Sequence, residues 1–443
     1  MKLLITLTLS AGLLAHAAET PPPGASSTNV LTVTPALINR LSEELRTNHP
    51  ALQAARFRWD AARENAKAVR TWEDPKVRAG VMFADVRMRA DQGDIVYGVE
   101  QALPLWGKPQ FERRMAEADA TKEQVSAEAQ FQTLRRSLAK ALFSTALAEH
   151  TVTVGEEDLG WLDTMVASLE QRYRVGEVAQ VWLLRLQNDR AKRQEQLRTD
   201  RLKLENERVI LNRLLNREPR ATWPALRLPE PAGAVVFSDA LVGLAVRGEP
   251  RLKVFQKEIL AAEASVASVK RKQMPEVVVG LENRNFSGNG DWRQTEMMVG
   301  MNLPLWNRGK SRSEVAREKA RLAAVEQERN DYELDLRQEV HTLTTRIDAA
   351  RREGLLYRNE IVPRSEQAVA SAQSAWTTGR GMFLDLLEAR RMLLEARFMY
   401  VRAVAEQYQM LSELVLCCGL GDLEALQMLG ALPKSSPPET TKP

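Results

Sequence analysis

The chain repeats itself. Leu103-Pro104-Leu105-Trp106 returns 200 positions later as Leu303-Pro304-Leu305-Trp306. The same shift, with no gap, carries Pro50 onto Pro250, Ala61-Ala62 onto Ala261-Ala262 and Val69 onto Val269. It also carries Pro75 onto Pro275, Val77 onto Val277, Gly80 onto Gly280 and Val99 onto Val299. Prolines and glycines constrain backbone geometry more than other residues, so their shared register marks two copies of one structural unit.

Both copies of the tetrapeptide join the same kinds of element. Upstream, Ile95, Tyr97 and Val99 alternate with Gly98 and Glu100; Met297, Val299 and Met301 alternate with Glu296, Gly300 and Asn302. A period of two marks a strand with one dry and one wet face. These strands span 95–103 and 295–303. Their partners span 76–86, with Val77, Ala79, Val81 and Phe83 on one face, and 276–284, with Val277, Val279 and Leu281. Polar tips at 85–94 and 285–291 join each pair. Strands of about 9–11 residues are long enough to cross a bilayer when tilted. On such strands Met297 and Met301 read as lipid-facing residues rather than as a metal path.

Downstream of each tetrapeptide a long helix follows, over 108–175 and over 310–378, the second interrupted at Gly354 and Pro363. Each is about 100 Å long at 1.5 Å per residue. In the second, Leu336, Val340, Leu343, Ile347 and Ala350 follow the 4-3-4-3 spacing of coiled-coil packing. Both end on a matched turn, Tyr173-Arg174-Val175-Gly176 and Trp376-Thr377-Thr378-Gly379, where glycine suits a left-handed cap and chain reversal. The helix before each hairpin (34–71 in the first copy, capped by Thr34) and the helix after each turn have about 37 residues apiece. Two of them stacked end to end match one long helix. The first unit is thus 34–216 and the second 238–418. The proline-rich linker 217–237 and the tail 419–443 form a belt around the middle.

Lys2, the apolar run 3–14 and Ala15-His16-Ala17 read as a signal peptide over 1–17, with no Cys after the cleavage site to carry lipid. Residues 18–33 read as a disordered lead-in. No segment is long and apolar enough for a transmembrane helix. A net charge of +4 without a basic tract gives no reason to expect nucleic acid. Cys417 and Cys418 are adjacent, which disulfide geometry disfavours. His49, His150 and His341 have no ligand spacing. No nucleophile motif or phosphate-binding glycine loop occurs, so neither an enzyme nor a cofactor or metal site is expected. Four strands cannot close a barrel, and an open sheet edge cannot sit in lipid. Strands that cross a membrane here require several chains to share one barrel.

Together these features resemble the TolC-type outer-membrane efflux family, over nearly the whole chain from about Leu37 to Leu426. Trp376-x-x-Gly379 followed by Asp385-Leu386-Leu387-Glu388 looks like the family's tip motif. The resemblance implies a mainly α fold with a transmembrane β-barrel portion. In it the duplicated helix–β-hairpin–helix unit builds a homotrimer with a twelve-stranded β-barrel and a twelve-helix periplasmic α-barrel. It implies outer-membrane lipid, a periplasmic adaptor and an inner-membrane pump of the resistance-nodulation-division type as partners. It places Tyr173, Gly176, Trp376, Gly379 and Arg380 at the periplasmic tip. Trp182 joins them and departs from the polar residue that relatives often carry there. Pro104, Trp106, Pro304 and Trp306 mark the barrel rim, where amphipathic rings favour the bilayer interface.

Asp385 and Glu388 lie one helical turn apart and share a face. Leu384 and Leu387 are expected to pack on other faces, and Arg380 or Arg185 to pair with the carboxylates. Three copies would bring these carboxylates to a narrow mouth. The expected function is a passive exit duct for a drug, metal cation or other small molecule. The competing reading is a soluble periplasmic coiled-coil scaffold or adaptor with two surface hairpins.

Overall fold

The computed structural model describes residues 30–69, 72–82, 94–286, 290–303 and 308–421. The expected signal peptide, the outermost residues of both hairpin tips, Pro304, Trp306 and the tail beyond 421 lie outside the described residues.

The end of the expected lead-in is ordered. Leu31–Thr32 form a short strand, β1, and Val33 is buried. Helix α1 (Pro35–Asn48) follows, with Thr34 Oγ1 accepting from the Leu37 amide at 3.3 Å. The single helix expected over 34–71 is two. Pro50 forces the residue before it out of the helical region, and His49 has ψ 122°. Helix α2 (Pro50–Ala68) starts afresh with proline in the first turn, where no amide is needed. β2 (Lys76–Met82) and β3 (Asp94–Leu103) form the first hairpin. A 3₁₀ turn at Leu105–Gly107 leads into α3 (Lys108–Arg174), and α4 (Gln180–Leu214) returns beside it.

β4 (Leu226–Arg227) lies in the linker and pairs in parallel with β1. The second unit breaks at the same corner as the first: α5 (Asp239–Gly248), Glu249 with ψ 119°, then α6 (Pro250–Lys272). The helices that enter the hairpins therefore have 19 and 23 residues, shorter than expected, because each proline turns the chain. β5 (Glu276–Phe286) and β6 (Trp292–Asn302) extend past their expected outer ends. α7 (Arg308–Leu356) begins the second long helix. Pro363 has no amide, and its ring would strike the carbonyl of Asn359 in a regular helix. The backbone opens there into a π-turn, Tyr357–Ile361, and continues as α8 (Val362–Thr377). α9 (Phe383–Cys417) returns.

Three layers share one lateral order. The sheet runs β2-β3-β5-β6. Beside it, α3 packs between α2 and α6, and α7 covers the far side of α6. Past the linker, α3 packs between α4 and α9, and α7–α8 cover the far side of α9. Each layer ends on the first unit at one edge (β2, α2, α4) and on the second at the other (β6, α7, α8).

The main core sits at mid-length. Leu45, Leu142, Phe143, Leu211, Val340, Ile347 and Leu414 are buried together, and Phe143 stacks on Tyr408 with ring centroids 5.1 Å apart. The seam from Leu336 to Ala350 is buried as its spacing predicts. Side chains of two helices hold the linker. Asn212 of α4, fully buried, donates to the carbonyls of Pro219 and Ala221 and accepts from Trp223 Nε1. Gln407 of α9 both accepts from the Ala232 amide and donates to its carbonyl, each at 3.1 Å. Linker backbone that helices cannot satisfy finds its partners here.

Candidate functional site

Strand register sorts the sheet into two faces. Val77 lies opposite Val99, Val99 opposite Leu281, and Leu281 opposite Met297. Neighbouring rows on that face are Val279–Val299 and Val277–Met301. Val77, Met297 and Val299 are 74%, 74% and 68% exposed, so an apolar face lies open on this chain. The opposite face carries Lys76, Arg78, Glu100, Glu276, Glu282, Arg284 and Glu296. Arg78 pairs with Glu100 at 2.7 Å, and Arg284 with Glu282 at 3.1 Å and Glu296 at 3.9 Å. The two hairpins are not quite superimposable: Val77 faces Val99, but Val277 faces Met301 rather than Val299. The slide is an even number of residues, so every side chain keeps its face.

Aromatic residues bound the apolar face at both ends. At the foot of β3, Trp106 is half exposed with φ 62°, and Gly107 follows with φ 68°. These two left-handed residues swing the chain from strand to helix. Pro104 precedes them; Pro304 and Trp306 lie outside the described residues. Near the tips, Asn283 Oδ1 accepts from Trp292 Nε1 at 2.9 Å and from Thr295 Oγ1 at 2.8 Å. Asn283 Nδ2 donates to Tyr97 OH at 2.5 Å. This second aromatic end was not read from the sequence, because Trp292 falls in the stretch expected as a loop.

At the far end of the helices the two turns match. Gly176 has φ 80° and Gly379 has φ 72°. Glu177 N donates to Arg172 O at 2.9 Å and Arg380 N to Ala375 O at 2.9 Å, the signature of a Schellman cap. Their aromatic residues diverge. Trp376 is buried against Phe383, with the Arg172 guanidinium 4.2 Å above its ring, whereas Tyr173 is 40% exposed. Trp182 is half-buried on the same apolar cluster beside the turn, with Arg185 over its ring.

Asp385 and Glu388 are both exposed on one face of α9, beside buried Phe383, Leu386 and Leu387. Two expectations need correction. Leu384 is 36% exposed rather than packed, because Leu386 takes the inward position. Neither Arg380 nor Arg185 forms an ion pair with these carboxylates among the described residues; Arg185 is drawn to Trp182 instead.

A profile described as outer membrane efflux protein matches residues 41–217 and again 241–420, once per unit. The chain belongs to this family. Among curated relatives, the cobalt-zinc-cadmium resistance protein CzcC of Cupriavidus metallidurans is 22% identical over 289 residues. That match spans 62% of this chain and 65% of CzcC. The outer-membrane channel OprN superposes with TM-score 0.75 at 18% identity, covering 87% of this chain and 90% of its own. The outer membrane protein VceC of Vibrio cholerae superposes with TM-score 0.72 at 18% identity, covering 87% and 96%. At these identities the likeness is one of fold.

This outer membrane efflux protein also holds a buried charge cluster that no sequence spacing reveals. Asp158 of α3 is 5% exposed, with Arg193 Nε of α4 at 3.0 Å and Arg390 Nε of α9 at 3.5 Å. Burial pushes the Asp158 carboxyl above the usual aspartate range, against the pull of both guanidiniums. The three residues come from three helices and meet only through packing. They tie the first hairpin of helices to the second, near the tip.

Proposed function

We propose that three copies of this chain close into a twelve-stranded barrel in the outer membrane, continued by a twelve-helix tunnel through the periplasm. The assembly is a passive exit duct for cargo handed over by a periplasmic adaptor and an inner-membrane pump. The observation that carries this reading is the shared lateral order of the three layers. Sheet and helices leave the same two edges open, so one rotation closes all of them, and closure removes the strand edges that lipid forbids. The open apolar face supports it. Strands β5 and β6, of 11 residues each, run roughly 33 Å, about 23 Å of depth at a 45° tilt, close to the ~25 Å apolar band of such barrels.

The cargo class this reading favours is a divalent metal cation. Likeness to a cobalt-zinc-cadmium resistance protein supports it, as do the exposed carboxylates Asp385 and Glu388. The test is expression of the full chain and of a Val81→Asp, Val279→Asp double variant. The parent should yield a heat-modifiable trimer in outer-membrane fractions and pores in planar bilayers. The variant sets carboxylates on the lipid face at about 2 kcal/mol per site, and trimer should fall steeply. Equal trimer from both, or a soluble parent, overturns the membrane reading. Loss of zinc, cobalt and cadmium tolerance on deleting the gene tests the cargo.

A further inference from the structure

The internal duplication states how one copy meets the next. Inside the chain, β3 of the first unit pairs with β5 of the second, from Asp94 opposite Phe286 to Leu103 opposite Val277; each pair of numbers adds to 380. At the open edges stand β6, the counterpart of β3, and β2, the counterpart of β5. We propose that β6 of one copy pairs with β2 of its neighbour in the register of this internal seam, so that the same sum of 380 holds between chains. This rests on the trimeric reading above and specifies its interface. Val299 then lies opposite Val81 of the neighbouring copy, Gly300 opposite its Gly80, Met301 opposite its Ala79 and Leu303 opposite its Val77.

Three observations converge on this register. The first is that the feet of the strands are held by equivalent residues, Pro75 and Pro275 at one side of each seam and Leu103 and Leu303 at the other. Another is barrel geometry. Lys76 faces Glu100, Glu100 faces Gly280, and Gly280 faces Met298. The proposed seam takes Met298 to Met82 of the next copy. One circuit of a chain thus climbs six residues, and three chains climb eighteen. Over twelve strands that is a tilt of roughly 46°, next to the 35–45° of natural barrels; a seam slid two residues further gives about 54° and is disfavoured. One slid two residues back gives about 34°, so the strand feet and the helix contact decide between the remaining two.

The third lies in the helices. Within the chain, Lys272 beyond the hairpin foot pairs with Glu112 of α3 at 3.0 Å. The 200-residue shift turns this contact into Trp72 of one copy against Arg312 of the other. Trp72 is 55% exposed, and Arg312 is exposed with no ion pair among the described residues. The seam gives both a cation–π partner. Leu334 is 67% exposed, whereas its counterpart Leu134 is packed on the core; the neighbouring copy covers the edge on which Leu334 stands.

Paired cysteines in the full chain, oxidised in outer-membrane vesicles, test the register. Val81→Cys with Val299→Cys probes one face, and Gly80→Cys with Gly300→Cys the other. Within one chain a Cβ at Gly80 or Gly300 meets nothing within 4 Å, so neither substitution disturbs the fold of the copy that carries it. The two edges of one chain are three strand spacings apart, roughly 14 Å, so a disulfide can only join different copies. Directly opposed Cα atoms lie about 4.5–5.5 Å apart and diagonal ones about 7–8 Å. At least one of the two pairs, the one at the non-hydrogen-bonded position, should convert most of the chain to covalent oligomers. Val81→Cys with Met301→Cys or with Met297→Cys should stay at background. A trimer that cross-links through either displaced pair, or through none of the four, overturns the register and leaves the trimer standing. A parent chain that is monomeric by native mass spectrometry overturns the assembly itself. As a second readout, Arg312→Ala should lower the temperature at which the trimer dissociates, and Trp72→Ala should lower it no further in the double variant. Additive losses would separate the two residues.

Discussion

Glu249 stands where the first unit has His49, and each caps the helix that the next proline begins. His49 Nδ1 accepts from the Ala51 amide at 3.2 Å. Glu249 Oε1 accepts from the Arg251 amide at 3.5 Å and from Tyr332 OH at 3.1 Å, while its Oε2 is buried without a partner. Burial drives both groups toward neutrality. It lowers the His49 pKa, helped by Arg213, and pushes Glu249 up to about 7. The two corners therefore titrate in opposite senses. A raised carboxyl contributes stability that is whole below its ordinary value of 4.5 and lost as pH rises through about 7. A depressed imidazole contributes stability that is present above its ordinary 6.5 and lost on acidification.

Glu249→Gln removes one of these titrations and keeps the amide oxygen for capping. The variant should be more stable than the parent at pH 8, by up to about 3 kcal/mol at ~1.4 kcal/mol per pH unit. The gap should close toward pH 4.5. Thermal unfolding across that window checks it; parallel curves for parent and variant would show that Glu249 does not titrate there.

Gly248 approaches the Cys418 and Gly419 backbone so closely that any Cβ would overlap the Cys418 carbonyl. Gly248→Ala should therefore cost about 2–4 kcal/mol. Gly160, in the middle of α3, stands in open space: a methyl group added there would meet nothing within 4 Å. Gly160→Ala should stabilise by about 0.5–1 kcal/mol through helix propensity alone. Denaturant unfolding of both variants measures the contrast.

Asp158→Asn leaves Arg193 and Arg390 facing each other without their shared carboxylate. Removing one member of a buried ionic cluster costs about 3 kcal/mol. Proteolysis should then reach the turn around Gly176 and Gly379 sooner than in the parent. Asp158→Asn with parental stability would mean that water or ions neutralise the pair of guanidiniums.

Asp385→Ala with Glu388→Ala should weaken cation selectivity in planar bilayers and raise the concentration of divalent ion needed for block. Six carboxylates of a trimer line the mouth in this reading, without a guanidinium partner from Arg380 or Arg185. Selectivity and block equal to the parent's would remove both residues from the mouth.

Much of this architecture is local information. Alternation at Ile95, Tyr97 and Val99 assigns faces whatever the neighbouring strand, because side chains alternate along any pleated chain. Gly176 and Gly379 are legible as turns because a left-handed residue favours glycine wherever it occurs. The spacing from Leu336 to Ala350 marks a buried seam for the same kind of reason. The corners at Pro50 and Pro250 were equally local. Reading a single helix through them let helical periodicity outweigh the proline rule that decides the backbone there.

Other features belong to packing between segments remote in sequence. Spacing along the chain carries no sign that Asp158, Arg193 and Arg390 meet. Nor does it carry the two-residue slide that sets Val277 opposite Met301, since a slide by an even number leaves the hydrophobic pattern unchanged. Thus the sequence by itself determined the duplicated unit, the faces of its strands and the places where it turns, because backbone constraint and periodicity act within a few residues. The tertiary structure alone decided strand register, the buried charge cluster and the common lateral order of the three layers. Each of these depends on which distant surfaces exclude water together.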